Sequence, residues 1–264
     1  MLRLFRYSGN KLKLVPFIQE LLLYREYSAY VEPFLGSGAI FYNIQPLFEN
    51  YHVNDIDPVI VSMHTALRDH TFYEYEECNR MIDEQFGDIE NDKEAYYSFR
   101  NSWNALSRKD WLQMLVLASC CLNSMLRFGP NGMNQSYGHR RLRIGRNEWE
   151  MMRVRILNAR ISSVSYDRAV PNNEPSLVFL DHPYPREMTY NRGFDGGRFI
   201  EWLVNTEFHK GSTVVFTYMD GYFDMELRSA GFTKREFRNM NSTSPNRDSM
   251  NQGTGKEVVW IRDF

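Results

Sequence analysis

Two hydrophobic rhythms alternate along the chain. Pro16 to Glu26 carries apolar residues at helical spacing with a proline in the first turn, which predicts a helix. Ala29 to Phe34 is a short apolar run that predicts a strand, ending at the turn Leu35-Gly36-Ser37-Gly38. A helix is expected from there to about Phe48, then a strand over Tyr51 to Asn54, which makes a βαβ opening. From Asp57 to Asn123 the pattern turns to helix-period apolar residues with charges between them, and Asp110 to Leu126 is the most apolar helix candidate. Arg127 to Arg143, with Gly129, Pro130, Gly132 and Gly138, predicts a hairpin or a long loop.

The strand–helix alternation then resumes. Strands are predicted over Ile161 to Tyr166, Leu177 to Leu180 and Thr213 to Tyr218. Phe199 to Thr206 and Tyr222 to Ala230 read as helices, the second closed by Gly231. The last strands fall near Thr233 to Phe237 and Glu257 to Arg262, with a polar, turn-rich and mobile loop expected over Asn239 to Gly255. Strand–helix halves flanking a helical middle predict an α/β fold: a Rossmann-like nucleotide-binding domain carrying an inserted helical and hairpin module. The expected boundaries are 1–56 and 145–264 for the α/β domain and 57–144 for the insert.

Composition narrows the function classes. With 43% hydrophobic and 24% charged residues the chain is globular rather than disordered. A net charge of −2 excludes wholesale polyanion binding, so any nucleic-acid site must come from local clustering. Clustering is present: His139 to Arg160 holds Arg140, Arg141, Arg143, Arg146, Arg153, Arg155 and Arg160 against Glu148 and Glu150. Cys78, Cys120 and Cys121 have neither metal-ligand spacing nor a disulfide framework, so no metal is expected. The N-terminus lacks a signal-peptide pattern and no 18-residue apolar run occurs; the expectation is a soluble, cytoplasmic protein with no membrane partner.

Two segments carry candidate chemistry. Glu32-Pro33-Phe34-Leu35-Gly36-Ser37-Gly38 ends the first strand, where glycines let backbone approach a ligand, the usual ligand position in open α/β sheets. Asp55 follows the next strand, 19 residues after Gly36, and an acid there can accept hydrogen bonds from ribose hydroxyls. Asp181-His182-Pro183-Tyr184 follows the apolar strand Leu177 to Leu180. A carboxylate and a main-chain carbonyl can accept the two hydrogens of an exocyclic amine, while an aromatic ring stacks on the base that bears it.

Tyr7-Ser8-Gly9-Asn10-Lys11, Glu32 to Gly38, Asn54-Asp55, Asp181 to Tyr184 and Gly253-Thr254-Gly255-Lys256-Glu257-Val258 together resemble the ordered motifs of Dam-type DNA adenine methyltransferases, including those of bacteriophages. The resemblance implies a class I S-adenosylmethionine-dependent fold and methyl transfer to adenine N6 in double-stranded DNA after base flipping, with GATC as the target. It implies that Tyr7 and Lys11 enclose the cofactor, that Glu32, Phe34, Gly36, Ser37, Gly38 and Asp181 line it, and that Asp55 holds its ribose. Asp181, His182, Pro183 and Tyr184 would form the catalytic segment, Asp181 and the His182 carbonyl gripping the adenine amine while Tyr184 stacks on the base.

Asn123-Ser124-Met125-Leu126-Arg127-Phe128 with Gly132, Asn134 and Gly138 resembles the family's recognition hairpin without its Phe and Pro. Asn123, Arg127 and Asn134 are therefore candidate DNA contacts, and Arg140, Arg141 and Arg143 beside them candidate phosphate contacts. One departure stands out: the family's pattern is Asp-Pro-Pro-Tyr, and here His182 takes the first proline's place. The accepting carbonyl survives that exchange, while a fixed φ is lost and an imidazole is gained. A catalytically impaired DNA-binding paralogue, and a cytosine-N4 or RNA methyltransferase, remain as alternative readings.

Overall fold

The computed structural model describes residues 1–5, 11–45, 48–122, 126–183, 194–241 and 256–264. In chain order the elements are α1 (Val15–Leu22), β1 (Ala29–Glu32), β2 (Asn50–Asn54), α2 (Pro58–Asp69), α3 (Phe72–Phe86), α4 (Lys93–Ala105), α5 (Trp111–Ser119), β3 (Phe128–Gly129), β4 (Gly132–Met133) and α6 (Arg146–Leu157). They continue with β5 (Arg160–Ser162), α7 (Tyr166–Ala169), β6 (Ser176–Leu180), α8 (Gly196–Asn205), β7 (Thr213–Met219), α9 (Asp224–Ser229), β8 (Thr233–Asn241) and β9 (Lys256–Asp263). The chain forms two compact units, each assembled from separated stretches.

One unit comprises Lys13–Phe34, Ile44–Ile56 and Arg160–Phe264. It holds a seven-stranded sheet in the order β5-β2-β1-β6-β7-β9-β8. Strands β5, β2, β1, β6 and β7 are parallel, and β9 runs antiparallel between β7 and β8. Numbered by order in the sheet-forming chain, the strands read 3-2-1-4-5-7-6. Every residue of β1 and β6 is buried, as expected for central parallel strands that read as continuous apolar runs. On one face Ala29, Val31, Val178, Leu180, Val214, Phe216, Tyr218, Val258 and Trp260 pack with Phe199, Ile200 and Leu203 of α8 and Leu227 of α9. The alternation is that of pleated strands, with residues i and i+2 on the same side.

The other unit comprises Met1–Leu12, Leu35–Asn43 and Asp57–Ala159, and is mainly helical. Its helix starts follow capping chemistry. Asp57 accepts from the Val59 N–H with Pro58 in the first turn, Thr71 and Glu74 form a reciprocal capping box, and Asp92 and Asp110 cap α4 and α5. Helix α6 packs on α2, and its Trp149 stacks on Tyr75 of α3 with ring centroids 4.6 Å apart. The compact boundary therefore falls after Ala159, whereas the sequence placed it at 144/145. The stretches 1–12 and 35–43 also belong to this helical unit rather than to the sheet unit.

Three local expectations change. Where a helix was expected between Gly38 and Phe48, the described residues 39–45 form turns, after Gly36 and Gly38 at φ of 50° and 72°. The strand at 29–34 stops at Glu32, before Pro33, and the apolar helix expected to reach Leu126 stops at Ser119. Strand β8 runs on to Asn241, and the loop expected over 239–255 otherwise lies outside the described residues. Among the described residues no helix is long and apolar enough to cross a membrane, and no cluster of three His, Cys, Asp or Glu is disposed to hold a metal ion.

Candidate active site

Within the sheet unit, β2, β1 and β6 are adjacent and parallel, so their carboxyl ends share one edge. That edge brings together Phe34 after β1, Asp55 after β2 and Asp181 after β6. Asn54 fastens it. Its side chain, 2% exposed, donates to the Pro33 and Val164 carbonyls (both 3.0 Å) and accepts from the Ser162 hydroxyl (2.8 Å) and the Val164 N–H (2.9 Å). All four hydrogen-bonding positions of the amide are used, and the ends of three strands are tied through one residue. Asp55, half-buried, follows directly, and its N–H donates to the Ser162 carbonyl at 3.3 Å.

Asp181 and His182 are consecutive and point to opposite faces. The Asp181 carboxylate accepts a hydrogen bond of 2.5 Å from the hydroxyl of Thr217, fully buried on the neighbouring strand β7. A charged, short hydrogen bond of this kind fixes where the carboxylate oxygens lie. The His182 ring turns to the α8 face, 2% exposed, and stacks on Phe194 (4.9 Å, 14°) and Phe216 (5.4 Å, 23°). Phe199 and Tyr218 lie 4.6 and 4.9 Å away, and Phe34 meets it edge-on at 6.3 Å. Its Nδ1 lies 2.7 Å from the Pro183 carbonyl, an acceptor only, so Nδ1 carries the hydrogen. The imidazole is thus an anchor in an aromatic core and not a group presented to a reacting amine. What the residue offers at the edge is its backbone.

Glu32 is 3% exposed and accepts a 2.8 Å hydrogen bond from Tyr30, two residues earlier on the same face. Burial, with the adjacent Glu32 carboxylate, pushes the Tyr30 phenol well above its ordinary range, so Tyr30 keeps its hydrogen and donates it to Glu32.

Within the helical unit, the turn Leu35–Gly38 is closed by a Gly38 N–H to Leu35 carbonyl hydrogen bond of 2.8 Å. Ser37 and Lys11 are buried. The hairpin β3–β4 is held by Asn104, whose amide donates to the Met133 carbonyl and accepts from its N–H, both at 2.8 Å. Gly132, at φ 97°, sits so close that a Cβ would lie 2.5 Å from the Asn104 Oδ1. Arg127, Asn134 and Arg140 are exposed around this hairpin. Arg143 is also exposed and reaches Asp83 at 3.2 Å.

Arg141 differs. Its side chain is 1% exposed and bonded to Asp83 (2.6 Å) and to Asn79 (2.5 Å) of α3, so it braces the hairpin's return on the helices and is withdrawn from phosphates. Tyr7, Asn123 and Tyr184 lie outside the described residues. Thr217 and the connecting role of Asn54 were not singled out from the sequence. The readable signal for Thr217 was a hydroxyl in the otherwise apolar run Val214 to Met219.

A parallel sheet with its one antiparallel strand between the last two, and acidic residues at the carboxyl ends of successive strands, defines a class I S-adenosylmethionine-dependent methyltransferase. Residues 7–200 match the family model of the D12 class N6 adenine-specific DNA methyltransferases, and the chain belongs to that family. It is 25% identical over 273 residues to a DNA adenine methylase of Vibrio cholerae, covering 96% of this chain and 92% of the relative. It is 24% identical over 199 residues to the type II methyltransferase M.CviBI of Paramecium bursaria Chlorella virus NC1A (70% and 69% covered). Against M.MjaIII of Methanocaldococcus jannaschii, also a type II methyltransferase, it is 25% identical over 195 residues, with 68% of each chain covered. The enzyme is an adenine-specific DNA methyltransferase, and S-adenosylmethionine is its methyl donor.

Proposed function

We propose that the protein methylates N6 of an adenine turned out of duplex DNA, with Asp181 gripping the amine at the carboxyl edge of the sheet. The supporting observation is the placement of Asp181: a half-buried carboxylate at the end of a central strand, held by Thr217 and flanked by the Pro33–Phe34 strand end. The donor set on this edge suits the cofactor. Asp55 offers a carboxylate to ribose hydroxyls, Phe34 an aromatic face, and Glu32 and Asp181 negative charge towards a cationic ligand; Tyr7, Lys11, Gly36, Ser37 and Gly38 complete the set by family resemblance. When bound, S-adenosylmethionine supplies an electrophilic methyl group on a sulfonium.

The chain's own residues position the acceptor. Asp181 accepts one amine hydrogen and the His182 carbonyl the other, which aims the N6 lone pair and draws charge onto nitrogen as the new bond forms. The surplus proton leaves along the Asp181 hydrogen bond to solvent. Tyr184 stacks on the extruded base, Pro183 stiffens the segment between, and Arg127, Asn134, Arg140 and Arg143, with Asn123, contact the duplex. Unstacking the base costs a few kcal/mol (roughly 2–4), offset by stacking and phosphate contacts. GATC is the first target to test, on resemblance to the Dam enzymes.

The test uses purified protein, methyl-labelled cofactor and duplexes with and without GATC, followed by digestion and identification of the modified nucleoside. N6-methyl-2'-deoxyadenosine from duplex DNA, lost in Asp181→Ala with cofactor binding retained, is the expected result. Methylated cytosine, transfer to RNA alone, or no transfer by the wild type would overturn the proposal.

A further inference from the structure

The turn Leu35–Gly38 is gripped from one side by a buried pair that neither its motif nor its family assignment accounts for. His64 is fully buried on the inner face of α2 beside Ile60, Met63 and Leu67. Its Nε2 lies 2.8 Å from the Gly36 carbonyl and its Nδ1 lies 2.7 Å from the hydroxyl of Tyr42, which is also fully buried. A carbonyl oxygen accepts only, so Nε2 carries the hydrogen and donates to Gly36; Nδ1 then accepts from the Tyr42 O–H. Every hydrogen is assigned by this chain, and the imidazole is neutral. Burial agrees, pushing His64 down to about 4 against the opposing pull of the Gly36 carbonyl.

The geometry allows little play. Gly36 and Gly38 both sit at positive φ, and a Cβ on Gly38 would lie 2.5 Å from the Tyr42 ring and 3.3 Å from His64 Cε1. The Phe5 ring lies 6.1 Å from the imidazole, tilted at 52°. The turn's backbone is therefore pressed against the pair, with Gly36 held by a hydrogen bond and Gly38 by contact. A solitary histidine on an apolar helix face ordinarily satisfies itself in the core; this one spends its only N–H on the turn proposed to meet the cofactor.

We propose that His64 and Tyr42 are positioning residues that preset the Gly36–Gly38 backbone for S-adenosylmethionine. The inference rests on the reading of that turn as a cofactor contact. Losing one neutral hydrogen bond to a preorganised loop predicts a weakening of about tenfold in cofactor affinity.

The experiment compares wild type with His64→Phe, His64→Gln, Tyr42→Phe and Gly36→Ala, reading the cofactor Kd, the KM for cofactor, kcat on duplex DNA and Tm. His64→Phe is expected to raise Kd and KM for cofactor about tenfold with kcat within twofold. His64→Gln, whose amide still donates towards Gly36, recovers most of the loss. Tyr42→Phe, which removes only a hydroxyl, gives a smaller increase and serves alone should His64→Phe not fold. A fall in Tm with unchanged Kd in the His64 and Tyr42 variants, while Gly36→Ala weakens cofactor binding, overturns the positioning role and spares the turn's assignment. Unchanged Kd in Gly36→Ala as well removes the turn from the cofactor site and the underlying reading with it.

Discussion

Thr217→Val isolates the hydrogen bond that holds the proposed catalytic carboxylate. Valine is nearly isosteric with threonine and suits the centre of β7, where residue 217 is fully buried, so the sheet's packing survives. What disappears is a hydroxyl 2.5 Å from Asp181 Oδ1. A hydrogen bond to a charged group contributes about 1.5–3 kcal/mol. Asp181 is half-buried, so water can replace part of that, and the lower end applies. About 1.5 kcal/mol corresponds to roughly a tenfold slower methyl transfer. Single-turnover methylation of a duplex by pre-formed enzyme–cofactor complex measures the step directly. Thr217→Ser, which keeps the hydroxyl, should remain within about threefold of wild type, and cofactor affinity should be unchanged in both. If Thr217→Val transfers methyl at the wild-type rate while Asp181→Ala is inactive, the carboxylate does not need its buried partner and the reasoning fails.

Other consequences are open to simpler measurements. Arg141→Ala removes a buried side chain with its hydrogen bonds to Asp83, itself a third exposed, and to Asn79, and should cost about 2 kcal/mol in urea unfolding, whereas Arg140→Ala should cost almost nothing. Conversely, Arg127→Ala with Arg140→Ala should reduce the slope of log K against log salt by about 2 for DNA binding; an unchanged slope would take both arginines out of the interface. Asn54→Asp replaces two donors with a carboxylate facing the Pro33 and Val164 carbonyls, and a loss of at least about 3 kcal/mol is expected by denaturant titration. For His64, whose folded pKa is lowered from 6.5 to about 4, the unfolded chain binds the proton first as pH falls. Stability is therefore held above pH 6.5 and lost between 6.5 and about 4, by about 3 kcal/mol, and His64→Gln should flatten that part of the curve.

Much of the sheet unit was legible because central parallel strands announce themselves. Ala29–Glu32, Ser176–Leu180 and Thr213–Met219 are apolar runs bounded by turn residues, and Asp181, proposed to grip the amine, directly follows the second. The failures have physical causes. The helix expected after Gly38 rested on spacing alone, and the described residues 39–45 form turns instead. Arg141 looked like its neighbours because charge density carries no information on depth; only the Asp83 and Asn79 partners, 58 and 62 positions away, decide that it turns inward. The unit boundary was missed because α6 joins the helices through Trp149 and Tyr75, a contact across 74 positions. His64 was invisible for the same reason, its partners Gly36 and Tyr42 lying 28 and 22 positions away, while Thr217 left only the trace of a hydroxyl in an apolar strand.

The aromatic box around His182 bears on the history of this segment. The imidazole fills space shared by Phe34, Phe194, Phe199, Phe216 and Tyr218, so restoring the commoner proline would vacate that volume, at a cost of roughly 2 kcal/mol. With the surrounding rings packed on an imidazole, a single-step His182→Pro exchange is unfavourable. A lineage carrying this box would be expected to vary His182 together with its ring neighbours, while Asp181, on the opposite face of the strand, stays free of that constraint.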